Sequence, residues 1–198
     1  LAPIAQSAGA QLETLDADGI GTLTAQAETM PNRFPTVARR SDDLAAFLYT
    51  SGTTGRSKGA MLSQQNLLSN AETLVDYWKF TDQDVLLHAL PIFHTHGLFV
   101  GMNTSLLAGA EVRLLAAFEV DKILSELPSA TLLMGVPTFY TRLLADARFS
   151  RELVQNMHLF VSGSAPLLAE THRDFEERTG HRILERYGMT ETNMITSN

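Results

Sequence analysis

Apolar residues recur along this chain in short runs separated by amphipathic stretches, and from Asp43 onward the alternation is regular. Leu44-Ala45-Ala46-Phe47-Leu48-Tyr49 is an apolar run closed by a Gly/Ser/Thr loop, a pattern that predicts a buried strand. Ser63 is placed to cap a helix reaching Trp78, with Leu67, Leu68, Ala71, Leu74 and Val75 on one face. Val85 to Leu90 reads as a strand stopped by Pro91. A helix of small residues is predicted from His96 to about Leu107, ended by Ala108-Gly109. Further strands are predicted over 111–115, 131–136, 158–162 and 183–187. Helices are predicted over 120–127, from Pro137 at its favoured first turn, and over 167–179, ended by Gly180. From Leu1 to about Ser41 the pattern is weak. Leu12, Leu15, Ile20, Leu23 and Met30 are scattered among polar residues, so short strands and loops are expected over 1–42.

Strands thus alternate with helices at least five times over 43–198. That alternation demands a layered α/β fold, a mostly parallel sheet with helical crossovers. In such sheets ligands bind outside the carboxyl ends of the strands. The loop after Tyr49, the loop after Ser162 and the turn after Tyr187 fall there.

Composition narrows the function. The 198 residues are 44% hydrophobic and 19% charged, enough apolar mass for a core and too much for a disordered chain. Twenty-two acids against fifteen bases, with no Lys/Arg block, argue against a nucleic-acid partner. With no Cys there is no disulfide scaffold and no cysteine zinc site, which suits a reducing cytoplasm. No apolar run reaches the roughly 20 residues needed to span a bilayer. The chain opens on Leu1 rather than Met, and a fragment of a longer protein is expected.

Thr50-Ser51-Gly52-Thr53-Thr54-Gly55-Arg56-Ser57-Lys58-Gly59 is the strongest local signal, with glycines, hydroxyls and two cations but no acid. Glycines let backbone N–H groups converge into an anion-binding nest, and Lys58 adds a full charge, so the loop suits a polyphosphate. Its spacing refuses the P-loop pattern. Gly55-Arg56-Ser57-Lys58-Gly59 matches G-x-S-x-G, but eight loop residues, Thr50 to Ser57, precede the hydroxyl where a hydrolase elbow needs the strand to run directly into it. A plain flexible linker ranks behind a phosphate-gripping loop, because linkers rarely follow a strand with two cations and no acid.

Tyr187-Gly188-Met189-Thr190-Glu191 offers an aromatic face for a purine, a close backbone approach, a hydroxyl donor and a hard oxygen ligand for Mg²⁺. Alone it reads better as a strand end and turn with incidental polar residues. Ser162-Gly163-Ser164-Ala165-Pro166 is a small-residue stretch whose alternative is an ordinary strand-to-helix turn. In Pro91-Ile92-Phe93-His94-Thr95-His96-Gly97 the two histidines, lacking a third ligand, make a weak zinc signal, and such residues are more often structural.

Together these motifs resemble the adenylate-forming superfamily of acyl-CoA synthetases, luciferases and adenylation domains. The segment 49–59 is similar to its phosphate loop, 187–191 to its second signature, 162–166 to the stretch beside adenine and the acyl group, and 91–97 to the segment that closes over the carboxylate. The resemblance implies part of the large N-terminal domain, with the smaller C-terminal domain absent and full activity lacking. It implies ATP, Mg²⁺, a carboxylic acid and coenzyme A as reactants. Carried over by motif, Thr50, Ser51, Gly52, Thr53, Thr54, Gly55 and Lys58 would hold the triphosphate. Gly163, Ser164, Ala165, Tyr187, Gly188, Met189 and Thr190 would surround the nucleotide, with Thr50 and Glu191 at Mg²⁺. Lys58, His94, Thr190 and Glu191 would serve the reacting centre.

The stretches 93–97, 135–142 and 185–194 are similar to those of malonyl-CoA synthetases. By that resemblance His94 and Ser162 would line the acid site, Thr95 and Met194 would bound the carbon between two carboxylates, and Arg142 would pair with the distal one. Arg186 is the competing cation, and is structural if it faces away from Tyr187 across its strand. The alternatives are a short or medium fatty acid or an aryl acid as substrate, a Ser57 hydrolase, and a non-catalytic nucleotide-binding module.

Overall fold

The computed structural model describes residues 1–50 and 57–198, which divide into two units, Leu1–Ala38 and Arg39–Asn198. The first unit holds two short helices, α1 (Ala2–Ser7) and α2 (Thr22–Ala27). The short strands expected there are not formed. The stretch lacks apolar alternation, and its polar side chains bond locally: Asp16 Oδ1 accepts from the N–H groups of Asp18 and Ile20, at 2.9 and 2.8 Å. None of its helical residues is buried.

In the second unit β1 (Leu44–Thr50) pairs antiparallel with β2 (Lys58–Ser63) in a sheet of two strands. β1 was expected to be buried and is not: Phe47 and Tyr49 are exposed, because the strand joins this ribbon and not the parallel sheet. β2 went unforeseen, since its apolar run is only Ala60-Met61-Leu62.

Ser63 caps α3 (Gln64–Trp78) as expected. Its hydroxyl accepts from the N–H of Asn66, and Asn66 Oδ1 accepts from the N–H of Ser63, a reciprocal capping box. After α3 come β3 (Val85–His88), a π-helical turn over His96–Met102 that continues into α4 (Asn103–Ala108), β4 (Glu111–Leu114), α5 (Val120–Glu126), β5 (Leu132–Gly135), α6 (Pro137–Leu144), β6 (Leu159–Ser162), α7 (Ala169–Thr179), β7 (Ile183–Met189) and β8 (Asn193–Ser197). Gly109 and Gly180 end α4 and α7 with positive φ of 77° and 79°. The main sheet has the order β4-β3-β5-β6-β7-β8, parallel except for β8 against β7. The expected turn after Tyr187 comes two residues later, because β7 continues through Gly188 and Met189 to pair with β8.

Period-two alternation splits the core across the sheet. Leu86, Leu132, Met134, Leu159 and Val161 pack with Leu74, Trp78 and Val100 on one face. Leu87, Leu133 and Phe160 pack with Ile123, Tyr140 and Phe175 on the other. The Tyr140 hydroxyl donates to the carbonyl of Val161 at 2.6 Å and fastens α6 to the centre of the sheet.

The opposite end of the sheet is closed by a buried carboxylate. Asp84, 5% exposed, accepts from the Thr81 N–H and hydroxyl and from the Thr131 hydroxyl, and lies 2.6 Å from His158 Nε2. Residues just before β3, β5 and β6 are thereby tied together. Burial alone raises this carboxyl's pKa, but the hydrogen bonds from Thr131, Thr81 and His158 outweigh it and hold it below its ordinary value. A depressed folded pKa adds stability above the unfolded value of about 3.9. That contribution fades as acid takes pH below about 5 and through the folded value. Asp84→Asn is expected to cost about 1–3 kcal/mol at neutral pH and to flatten the acid limb of stability. Thermal melts across pH check this, and an unchanged acid limb removes the assigned role.

Candidate functional site

The carboxyl ends of β3, β5, β6 and β7 open into two clefts. The first, about 910 Å³, lies between the Pro91–Gly97 segment, the stretch after β4 and the start of α6. Its walls are largely apolar: Leu90, Phe93, Phe118, Val136 and Phe139. The second, about 600 Å³, lies between Ser164-Ala165-Pro166 and the Glu185–Gly188 part of β7. Ser164 lines both and marks their seam.

The loop after β6 is held in an unusual shape. Ser164 has φ of +68°, in the left-handed region that costs a non-glycine residue energy. Glu185 helps to hold it, its carboxylate accepting from the Leu167 N–H at 2.9 Å. Ser164 Oγ lies 3.4 Å from Arg186 Nη2 and 3.4 Å from His96 Nδ1.

Arg186 is 8% exposed, makes no ion pair among the described residues, and has a buried Nε with no partner among them. Burial lowers its pKa to about 10, so it stays charged at neutral pH. A Cβ at Gly163 would fall on its Nε and Cζ, so only glycine leaves room for the guanidinium. Arg186 does face away from Tyr187, the condition set for a structural role. Arg186 nevertheless lines the second cleft with Tyr187 and reaches Ser164 at the seam, and no acid pairs with it among the described residues.

His96 is held neutral, well below the ordinary histidine range, by burial and then by Arg186, His88 and His94. His88, fully buried at the end of β3, is lowered by burial as well. The π-helical turn brings Gly101 against His88, where a Cβ would crowd the imidazole. Such turns recur at functional sites.

The expected residues separate into groups. His94 and Arg142 line the first cleft with Ser164, and Ala165, Tyr187 and Gly188 line the second. Arg142 sits at the rim. Its guanidinium lies 4.8 Å from the Phe118 ring centroid, Phe118 stacks on Phe139, and Nη1 donates to the Phe118 carbonyl at 3.4 Å. Gly163 lies under Arg186, and Ser162 is buried with its hydroxyl unpartnered among the described residues. Thr95 is buried beside His96.

Met194, expected against the acid, packs in the core with Leu74 and Trp78 and lines neither cleft. β8 passes α3 at this point, where the Asn70 side-chain amide donates to the Met194 carbonyl at 2.9 Å. Glu191 lines a separate recess of about 240 Å³ with Asn66 and Asn70 of α3. Thr190 and Met189 line neither cleft. Lys58 opens β2 and is exposed, and the Thr50 hydroxyl donates to the Lys58 carbonyl at 3.4 Å. Ser51, Gly52, Thr53, Thr54 and Gly55 lie outside the described residues. Ser57 runs directly into β2, not into the helix that a hydrolase elbow requires. Among the described residues no three metal-ligating side chains cluster, and no helix is long and apolar enough to cross a membrane.

A parallel α/β sheet with adjoining clefts at its strand ends defines a ligand-binding domain of the nucleotide-binding kind. The family model for AMP-binding enzymes matches residues 3–198, and the chain belongs to that family. It is 40% identical over 170 residues to the mitochondrial malonate–CoA ligase ACSF3 of Mus musculus, covering 78% of this chain and 29% of that protein. It is 37% identical over 177 residues to the malonate–CoA ligase of Arabidopsis thaliana, covering 79% and 29%. The crystal structure of apo MatB from Rhodopseudomonas palustris superposes with a TM-score of 0.97 at 61% identity, covering 100% of this chain and 39% of that one. The chain therefore spans less than a third of the length of these curated relatives.

Proposed function

We propose that this chain is the nucleotide- and acid-binding part of an AMP-forming ligase that activates malonate and passes it to coenzyme A. The observation that carries the reading is Arg186, a charged guanidinium buried in the second cleft with Tyr187, in contact with Ser164 at the seam with the apolar cleft, and without an acid beside it among the described residues. A buried charge is costly unless an opposite charge completes it. The second carboxylate of a dicarboxylic acid is such a charge, and it fits a planar guanidinium through paired hydrogen bonds. Of the two candidate cations, Arg186 fits better than Arg142, which already stacks on Phe118 in contact with solvent. The two curated relatives named above are malonate–CoA ligases, and a malonyl-CoA ligase 42% identical to this chain holds methylmalonyl-CoA and AMP.

In the first half-reaction a carboxylate oxygen bonds to the α-phosphorus of ATP as the bond to the β-phosphate bridge breaks, releasing pyrophosphate. In the second, the thiol sulfur bonds to the acyl carbon, the carbon–oxygen bond to AMP breaks, and the thiol proton is lost. Both reactants of the first step are anions, so oriented donors and cations must offset their repulsion. Lys58 and the loop from Thr50 through Gly55 supply these toward the phosphates, and His94 closes over the acid. Ser164, Ala165, Gly188 and the Tyr187 ring would enclose the nucleoside. The Thr50 oxygen keeps its lone pairs, and the exposed Glu191 carboxylate has no cation partner among the described residues, so both fit Mg²⁺ as hard oxygen donors. That ion would neutralise phosphate charge.

The full-length protein given ATP, malonate and CoA is expected to release AMP and pyrophosphate. Release of ADP removes adenylation. The apolar walls of the first cleft favour a second reading, a short fatty or aryl acid. A panel of acids in a pyrophosphate assay separates the two, and a preference for monoacids over malonate overturns the dicarboxylate assignment.

A further inference from the structure

His96 has a buried ring nitrogen that no described residue uses. Its ring is 5% exposed, it lines the first cleft, and its Nε2 is buried without a partner among the described residues. A guanidinium only donates, so at their 3.4 Å contact Ser164 Oγ is the acceptor from Arg186 Nη2. The Ser164 hydroxyl proton is then free to go to His96 Nδ1, also at 3.4 Å. The contact fits either tautomer, because Ser164 Oγ has a second lone pair; with Ser164 donating to Nδ1, the neutral ring carries its hydrogen on Nε2.

Two buried nitrogens are left without partners among the described residues on the two neighbours of Ser164, Nε of Arg186 and Nε2 of His96. A residue that only filled space would not need a buried N–H, and a phenyl ring would serve. Resting on the malonate reading above, we infer that His96 is a specificity-determining residue that donates from Nε2 to the second carboxylate of the substrate, alongside Arg186. The charged and titratable groups that face it are Arg186 from β7, His88 from β3 and His94 from its own segment. Burial and these neighbours keep the ring neutral, so the donor persists through neutral pH.

The test uses the full-length protein with malonate and with 3-methylbutanoate, the apolar isostere in which two methyl groups replace the carboxylate oxygens. His96→Phe is expected to lower the ratio of kcat/KM for malonate over 3-methylbutanoate by about 10- to 100-fold, the worth of one hydrogen bond to a charged group. His96→Gln, whose amide nitrogen reaches the Nε2 position, is expected to recover much of that ratio, and His96→Asn, whose amide reaches only the Nδ1 position, is not. These two polar variants carry the test if the Phe variant fails to fold. An unchanged ratio in His96→Phe, a proportional loss on both acids, or equal behaviour of Gln and Asn overturns the inference. If Arg186→Met loses malonate selectivity and the His96 variants keep it, the malonate reading stands and only the role of His96 falls. If the unaltered protein does not activate malonate, the reading itself falls.

Discussion

Arg186→Met is expected to lower kcat/KM for malonate by about 30- to 4,000-fold, since truncating one partner of a buried, hydrogen-bonded charge pair costs about 2–5 kcal/mol. The loss on 3-methylbutanoate is expected to be far smaller, because that acid presents nothing for a guanidinium to hold. Stability moves the other way. In the absence of substrate the guanidinium is buried at 8% exposure with no acid beside it among the described residues. Met fills similar volume without a charge to desolvate, so the melting temperature is expected to hold or rise. Arg186→Lys is not expected to restore malonate use, because a compact ammonium cannot form the paired contact. Arg142→Ala should cost less than Arg186→Met, since Arg142 stands at the rim against Phe118. Equal losses on both acids with Arg186→Met, or a larger malonate loss with Arg142→Ala, would return the cation's role to Arg142.

Gly163→Ala is expected to reproduce most of that selectivity loss without touching a polar group. The added methyl would occupy the place of Arg186 Nε and Cζ, so the guanidinium must leave the seam. Overpacking of this kind costs about 1–3 kcal/mol, so a lowered melting temperature is expected too. The decisive measurement is the double variant. With Met at 186 the guanidinium is gone and a flexible thioether can yield, so Gly163→Ala should add little to Arg186→Met in either selectivity or stability. Additive losses would mean that Gly163 acts independently of Arg186, through the turn itself.

Much of the fold was legible because it depends on local chemistry. Ser63 and Asn66 announce the start of α3, Pro137 opens α6, and Gly109 and Gly180 end α4 and α7. The apolar runs from Val85 to Leu184 read as strands because both faces of a parallel sheet are covered. The ribbon of β1 and β2 was harder. An apolar run does not say which sheet it joins, and Phe47 and Tyr49 are exposed as a result. The end of β7 was misjudged for a related reason: whether Gly188 and Met189 turn or continue depends on β8 offering a partner.

The site divides in the same way. The residues of 91–97, 162–166 and 187–191 could be named from the sequence, because small, aromatic and hydroxyl residues at strand ends carry a recognisable chemistry. Their allocation could not. Met194 stands close to the signature in sequence yet turns into the core, while Glu191 faces α3. Arg186 stood in the sequence only as the cation competing with Arg142, and His96 as one of two histidines of a kind more often structural.

By itself the sequence determined the class of sheet, the caps that bound α3, α4 and α7, and the family, since these follow from hydrophobic period, capping residues and contiguous motifs. Only the tertiary structure decided which cation is buried and unpaired. Burial and pairing are properties of what surrounds a side chain, and Arg186 acquires its surroundings from Gly163, Ser164 and His96, 22 to 90 positions away along the chain.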